Sequence, residues 1–380
     1  MNKGEKIDIP RSQRSGRESS SQQSEGFNGP RPTSDVTGAN KGIGFGIVRA
    51  LCKELGERGV VYLASRDEGR GEKAVQELKG EGLNPRCIQL DICNNDHILK
   101  VADYFRDTYG GLDILVNNAG ISFTAAATEP DSIQAPVTVE TNVFATLRLC
   151  RALIPLIRSH GRVVTMAGQL GSLAYQKLGP DLQKRFKTVS TEQGIVDLMT
   201  EFISAAKEVK KKELGWGSSN YGVSKLGVIA LTRIQGQDII KDSGREDILI
   251  NCCCPGNVAT DMSSHKGPLT IDQGAVTPVY LALLPGGCSH QGLFFYQKAV
   301  KDFWGPVSQN QLLNSDDKFA LSQSDAMIPV AYNNLDSKTQ PWNGFDPTSL
   351  TELSLFLLAT VSHMSALRTS EYPKDLLSVR

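Results

Sequence analysis

Between Val36 and about Trp304, short apolar runs alternate with helical stretches, and this rhythm limits the chain to a parallel sheet covered by helices. The runs expected as strands are Val60–Ser65, Arg86–Leu90, Ile114–Asn117, Gly161–Met166, Ile248–Cys254 and Gly292–Tyr296. Helices are expected near Gly42–Leu55, Gly69–Glu81, Asp96–Thr108, Val137–Ile157 and Tyr221–Lys241. The strands are apolar without alternation, as a sheet buried on both faces requires. The expected fold class is α/β, a doubly wound parallel sheet flanked by helices in one domain over residues 35–304.

Three stretches break the rhythm. Residues 1–34 are rich in Ser, Gln, Gly, Arg and Pro, cannot offset chain entropy by burial, and are expected to be a disordered extension. Residues 173–218 insert a charged stretch, helix-prone over Thr191–Leu214, ahead of the Tyr221 helix. Residues 305–380 lose the strand–helix alternation and are expected to be a poorly ordered tail, with one amphipathic stretch at Leu350–Leu367.

Charge excludes some function classes. Lysine plus arginine equals aspartate plus glutamate at 41 each, so no global field favours nucleic acid or an anionic membrane. No apolar run approaches the roughly 20 residues of a spanning helix, and residues 1–34 contain no apolar core of a secretory signal. Eight cysteines form no CxxC pair, and three of them (Cys252, Cys253, Cys254) lie in one apolar run, which reads as a buried strand in a reduced compartment. Five histidines show no paired-ligand spacing, so no metal is expected. The expectation is a soluble, cytoplasmic protein.

The chemistry begins at Thr37-Gly38-Ala39-Asn40-Lys41-Gly42-Ile43-Gly44, which leads into an apolar helix. Glycines at 38, 42 and 44 allow a tight turn and let backbone N–H groups approach a pyrophosphate at a helix N-terminus. This makes the doubly wound sheet Rossmann-like. About twenty residues on, a strand ends in Ala64-Ser65-Arg66. An NAD-specific fold would place an acid there; Arg66, with Lys41, instead suits a 2′-phosphate, favouring NADP over NAD. Asp67 reads as solvated. Further on, Tyr221 and Lys225 stand four residues apart and so share one helix face.

In order, the chain also carries Leu90-Asp91-Ile92, Asn117-Asn118-Ala119-Gly120, Thr141-Asn142, Tyr221-Gly222-Val223-Ser224-Lys225 and Cys253-Cys254-Pro255-Gly256, leading to Thr260-Asp261. With the glycine turn, this set resembles the short-chain dehydrogenases/reductases, and closely the monomeric NADPH-dependent carbonyl reductases among them, over residues 36–304. The resemblance implies Tyr221 as the acid that protonates a carbonyl oxygen as hydride arrives from NADPH. Lys225 would lower the tyrosine pKa and hold the nicotinamide ribose, and Asn142 would anchor a water that relays protons to Lys225. Gly38, Asn40, Lys41, Gly42, Ile43, Gly44 and Arg66 would hold the phosphates. Asp91 and Ile92 would meet the adenine, Asn118 and Gly120 the adenosine ribose, and Gly256, Val258 and Thr260 the nicotinamide. Asn117 would bond neighbouring backbone. Gln134 falls where this branch contacts substrate. The insertion at 173–218 would cover the face through which relatives pair, implying a monomer acting on a small carbonyl compound.

Three departures stand against the resemblance. The serine pair that follows the strand ending at Met166 in the family falls on Ala167 and Gly168. Glycine offers no hydroxyl to the developing oxyanion, a loss that typically costs about 2.7–4 kcal/mol, or roughly 100–1000-fold in rate. Ser172 could substitute only if the loop slipped by four residues, and Thr165 lies within the strand. The approach to the glycine turn, Gly29-Pro30-Arg31-Pro32-Thr33-Ser34-Asp35-Val36, holds two prolines and an acid where an apolar strand is needed, so that strand is either very short or replaced. Asn257 stands where a larger aromatic is usual. The expected activity is reduction of quinones, aldehydes or ketones by NADPH, slowed by Gly168; the alternative is an NADP-binding pseudoenzyme with a stability or interaction role.

Overall fold

The computed structural model describes residues 31–304 apart from Ala125 and Ser243. The 305–380 tail and all but the last four residues of the 1–34 extension therefore lie outside the described residues. The strands are β1 Thr33–Val36, β2 Val60–Ser65, β3 Arg86–Gln89, β4 Leu112–Asn117, β5 Ile157–Met166, β6 Leu249–Cys254, β7 Phe294–Tyr296 and β8 Ala299–Val300. They form one sheet in the order β3-β2-β1-β4-β5-β6-β7-β8. All neighbouring pairs are parallel except β7 with β8. Every residue of β1, β2 and β6 is buried, which suits the largely apolar β2 and β6, whereas β1 buries Thr33, Ser34 and Asp35.

The described residues form ten α-helices around the sheet: α1 Gly42–Leu55, α2 Glu68–Gly80, α3 Asn95–Tyr109, α4 Asp131–Val139, α5 Thr146–Leu153, α6 Gln169–Lys177, α7 Pro180–Thr188, α8 Glu192–Lys207, α9 Asn220–Ile239 and α10 Ile271–Ala282. On one face Val36, Leu63, Val116 and Val164 pack with Ile47, Val48 and Leu51 of α1 and with Leu281 of α10. On the other, Tyr62, Leu115 and Val163 pack with Ile98 and Phe105 of α3 and Leu149 of α5. A third cluster joins the insertion to α9 through Phe186, Met199, Phe202, Trp216, Val223 and Leu226.

Several boundaries differ from expectation for identifiable reasons. The helix expected over Val137–Ile157 starts at Asp131, passes Pro136, opens into a π-helical turn over Glu140–Ala145 and ends at Leu153. A tight turn at Ile154–Leu156, containing Pro155, then delivers Ile157 into β5. Apolar spacing alone hid both the turn and the change of state. Helix α10 was not anticipated, because Pro278 lies inside it. Its start was nevertheless written as a capping box, with the Thr270 hydroxyl and the Gln273 side chain each holding the other's backbone N–H.

The first strand exists, and it starts at Thr33, two residues inside the segment assigned to the extension. Its prolines do no harm because they precede it. The Pro32 carbonyl accepts from Val60 N (2.8 Å), and Thr33 N donates to Asp113 Oδ2 (2.5 Å). Asp113 is itself held by Arg158, whose Nε donates to Oδ1 (3.0 Å).

Asp35 is the cost of this sequence. It pairs in register with Tyr62 on one side and Leu115 on the other, so its carboxyl shares their apolar face. It is 0% exposed, and neither oxygen has a hydrogen bond. Desolvation raises its pKa from 3.8 to about 7, an effect the Val36 N–H dipole offsets only in part. The folded state therefore holds a proton that the unfolded chain releases near pH 4. Stability is fully present below that point and falls as pH rises towards 7, by about 4 kcal/mol in all. Asp35→Leu should abolish this decline and stabilise the protein by several kcal/mol at pH 7.5. Urea unfolding of both proteins from pH 4.5 to 8 checks this, and an unaltered pH profile in the variant would refute it.

Candidate active site

The strand order reverses between β1 and β4, and a crevice opens there at the carboxyl ends of the strands. Thr37 closes the floor of this crevice. Its hydroxyl accepts from Asn118 N (3.0 Å) and Ala119 N (2.9 Å), while Asn118 Nδ2 donates to the carbonyls of Thr37 (2.8 Å) and Gly38 (3.2 Å). Asn118 thus fastens the glycine turn to the end of β4. Gly38 has φ +61°, and a Cβ there would lie 3.0 Å from Ala119 Cα. A Cβ on Gly44 would stand 2.5 Å from Asn118 Nδ2, so the close passage of α1 over β4 needs glycine.

The start of α1 suits an anion. No side chain caps it and no acid lies in its first turn, so its backbone N–H groups point outward unneutralised. Asn40 and Ile43 are half-buried along the turn, and Lys41 stands exposed at the helix cap. Lys41 Nζ pairs with Asp261 Oδ2 at 2.5 Å, and His265 Nε2 lies 2.9 Å from Asp261 Oδ1. Arg66 is exposed just beyond β2, while Asp67 caps α2 by accepting from Arg70 N (2.8 Å). Asp91 Oδ1 accepts from Cys93 N (3.0 Å), and Ile92 is buried beside it.

Helix α9 places the two residues expected to transfer a proton. Ser219 caps it by accepting from Gly222 N (2.9 Å), and Tyr221 and Lys225 follow one turn apart. Lys225 is 6% exposed, lies 5.5 Å from the Tyr221 ring centroid and donates to the Met166 carbonyl at 2.6 Å. Burial lowers its pKa from 10.5 to about 8. Tyr221 is half-buried, and burial followed by the charge of Cys254 pushes its phenol above the ordinary tyrosine value. The sequence implied the opposite direction for Tyr221. Lys225 is turned to the Met166 carbonyl, and a desolvated amine is a weak source of positive field.

Asn142 lies in the π-helical turn and is fully engaged. Its Oδ1 accepts from Ile121 N (2.8 Å), and its Nδ2 donates to Ile121 O (2.9 Å) and to Ser224 Oγ (3.0 Å). Ser224 Oγ in turn donates to Tyr221 O (2.8 Å). Ser224 therefore links Asn142 to α9, a role that its place inside the Tyr221–Lys225 stretch could have suggested. A Cβ on Gly120 would lie 3.1 Å from Asn142 Oδ1 and 3.7 Å from Lys225 Nζ. Asn117 bonds side chains rather than backbone: its Nδ2 donates to Thr165 Oγ1 (3.1 Å) and to Cys150 Sγ (3.2 Å).

Around Gly168 the chain is in register. Ala167 N still donates to Cys253 O (2.9 Å), and Gly171 N to Gly168 O (2.9 Å) as α6 begins. No slip brings Ser172 forward; it is buried one turn into α6. The Thr165 hydroxyl accepts from Asn117 instead of facing the crevice. At Gly168 φ is 176°, which any residue adopts, and a Cβ would meet only Lys225 Cγ, at 4.0 Å.

The segment after β6 completes the crevice. Gly256 has φ +85° with Leu269 packed against it, and Val258 bridges Leu269. Thr260 caps the next turn with its methyl 3.4 Å from where a Gly42 Cβ would stand. Gln134 lies on the first turns of α4, its Nε2 donating to Glu129 O (2.8 Å). Among the described residues no three His, Cys, Asp or Glu side chains gather as a metal site, and no helix is long and apolar enough to cross a membrane.

Residues 35–180 match the family model described as short chain dehydrogenase. Carbonyl reductase (NADPH) 3 of Rattus norvegicus is 49% identical over 251 residues, 66% of this chain and 90% of that protein. Carbonyl reductase (NADPH) 1 of Mus musculus is 47% identical over 273 residues, 71% and 98% of the two chains. Among solved structures, salutaridine reductase from Papaver somniferum matches with a TM-score of 0.62 and 28% identity over 70% of this chain and 100% of its own. Menthone neomenthol reductase from Mentha piperita matches with 0.58 and 31%, over 70% and 98%.

The depressed Lys225 has a measurable consequence. Its native state sheds a proton near pH 8 that the unfolded chain keeps until about 10.5, so the ligand-free protein gains about 3 kcal/mol across that window. Lys225→Met should lose this gain. Urea unfolding at pH 7.5 and pH 10 checks it, and equal gains in both proteins would refute it.

Proposed function

The chain belongs to the short-chain dehydrogenases/reductases, among their carbonyl reductases, and from that premise we propose that it reduces small quinones, aldehydes and ketones with NADPH. The observation that carries the reading is the Tyr221–Lys225 pair on one face of α9, beside an uncapped, acid-free helix start. Residues present in the crevice fit the cofactor. The glycine turn leaves room where a Cβ would collide, and α1 presents unneutralised N–H groups. Lys41 and Arg66 offer cations for a 2′-phosphate. Asp91, Ile92, Asn118 and Gly120 would hold the adenosine half, and Gly256, Val258 and Thr260 the nicotinamide half. When bound, NADPH supplies the hydride.

The chain's own residues manage the proton and the geometry. Tyr221 delivers a proton from its hydroxyl to the carbonyl oxygen. Lys225 lies 5.5 Å from the Tyr221 ring centroid, and its charge would stabilise the resulting phenolate on turning from the Met166 carbonyl. Because the Asn142 amide is committed to Ile121 and Ser224, a proton relay through this residue would run by its main-chain carbonyl, in the π-helical turn. At Gly168 the oxyanion lacks one donor, so the reaction runs slowly. Gln134 would reach substrate only by giving up Glu129.

The wider setting follows from the same observations. Helices α7 and α8 lie in the cluster that covers α9, which supports a monomer. Burial pushes the thiols of Cys150 and Cys252 up to about 12, which suits unreactive buried thiols in a reducing, cytoplasmic setting.

Three outcomes are expected. NADPH oxidation with a simple quinone should be slow in the natural protein and rise roughly 100–1000-fold in Gly168→Ser; ready turnover that the serine leaves unchanged would overturn the role given to this position. Arg66→Ala should weaken NADPH binding about 10–100-fold and spare NADH, as titration of both cofactors would reveal. Light scattering should find a monomer, and a stable tetramer would refute that assignment.

A further inference from the structure

One buried charge outside the proposed catalytic set is Lys211, in the segment between α8 and α9, whose side chain is 10% exposed. An ammonium has three N–H donors, and each finds an acceptor here. They are Asp131 Oδ2 (2.5 Å), Asn220 Oδ1 (2.8 Å) and the Ser218 carbonyl (3.1 Å). Asn220 Nδ2 donates to the other Asp131 oxygen at 2.6 Å, so the three side chains close a ring. The ring is held from below. Lys211 Nζ lies 5.5 Å from the Phe202 ring centroid, Phe202 packs on Trp216 (5.3 Å between centroids), and Trp216 N donates back to Lys211 O (2.8 Å).

The placement of the ring matters. Asp131 is the first residue of α4 and Asn220 the first of α9, immediately before Tyr221. The Ser219 cap finishes α9 but ties it to nothing else. We propose that Lys211, Asp131 and Asn220 are positioning residues: they lock the first turn of α9, and with it Tyr221, against the start of α4, which carries Gln134. This rests on the proposed carbonyl reduction for its functional meaning, not for its geometry. The insertion thereby contributes to the active site as well as covering α9. A proton donor displaced by even about 1 Å can lose as much as roughly 100-fold in rate, so a tether here bears on kcat more than on affinity.

The test uses Asn220→Ala and Lys211→Met in the full chain. The first leaves Lys211 its pairs with Asp131 and Ser218; the second leaves Asp131, whose side chain is 44% exposed, free to be solvated, so both should fold. Hydrogen exchange is read at Gly222, which donates to Ser219 Oγ (2.9 Å), and at Val223, which donates to Ser219 O (3.0 Å). NADPH affinity and the kinetics of quinone reduction are measured alongside. Expected are exchange faster by about 10-fold at these two amides, kcat lower by about 10-fold with KM changed less, and unchanged NADPH affinity. Unchanged exchange at Gly222 and Val223 would overturn the proposal. So would faster exchange throughout the sheet with loss of NADPH affinity, which marks a general stabilising role. If the natural protein turns over no carbonyl, exchange and affinity still decide the ring, and only the reductase reading fails.

Discussion

The bond network between Thr37 and Asn118 is the constraint on which this architecture rests. One hydroxyl and one carboxamide join the turn after β1 to the end of β4, across the point where strand order reverses. The junction leaves no room for a side chain at Gly44, and its closeness is what lets α1 aim its free N–H groups into the crevice. Because the same strand end leads on to Gly120 and Ile121, it also reaches Asn142 and, through Ser224, the catalytic helix. The proposed cofactor site and the proposed proton-transfer site are thus two ends of one hydrogen-bonded seam.

Two buried ionisable groups, Asp35 and Lys225, pull the pH dependence of stability in opposite senses. Asp35 favours the fold at acid pH because its carboxyl is easier to bury protonated. Lys225 favours it at alkaline pH, once its amine is neutral. Between about 7 and 8 both are charged in a dry interior, so these two contributions are least favourable near neutrality. A ligand that binds only the folded form offsets such costs by mass action. The Lys225 cost belongs to function, since an ammonium beside Tyr221 is what the proposed chemistry needs. No function attaches to Asp35; nothing in the structure explains an acid at that position.

Much of this was legible in the residues. Unbroken apolar strands announced a doubly covered parallel sheet, and the glycine spacing announced the crevice. The four-residue spacing put Tyr221 and Lys225 on one helix face, and only the resemblance carried by the ordered motifs implied their roles. Other features depended on tertiary contacts. Pro32 looked incompatible with a strand because its use as an acceptor for Val60 depends on where β2 lies. The π-helical turn at Asn142 has no signature in an apolar helical pattern. Helix α10 was obscured by Pro278, although Thr270 and Gln273 spelled its cap. The direction of the Tyr221 pKa depended on its burial, followed by its nearness to Cys254, both of which are tertiary.

On the proposed mechanism this site holds its proton donor and its lysine but lacks one donor to the oxyanion, so that chemistry itself is slow. In many well-evolved enzymes product release limits turnover instead. The direct measurement is the primary kinetic isotope effect on kcat, comparing NADPH with NADPH deuterated at the transferred position. A chemical step slowed at Gly168 predicts an effect clearly above unity in the natural protein, shrinking in Gly168→Ser as release takes over. An effect near unity in the natural protein would show that hydride transfer is already fast, and would contradict the account.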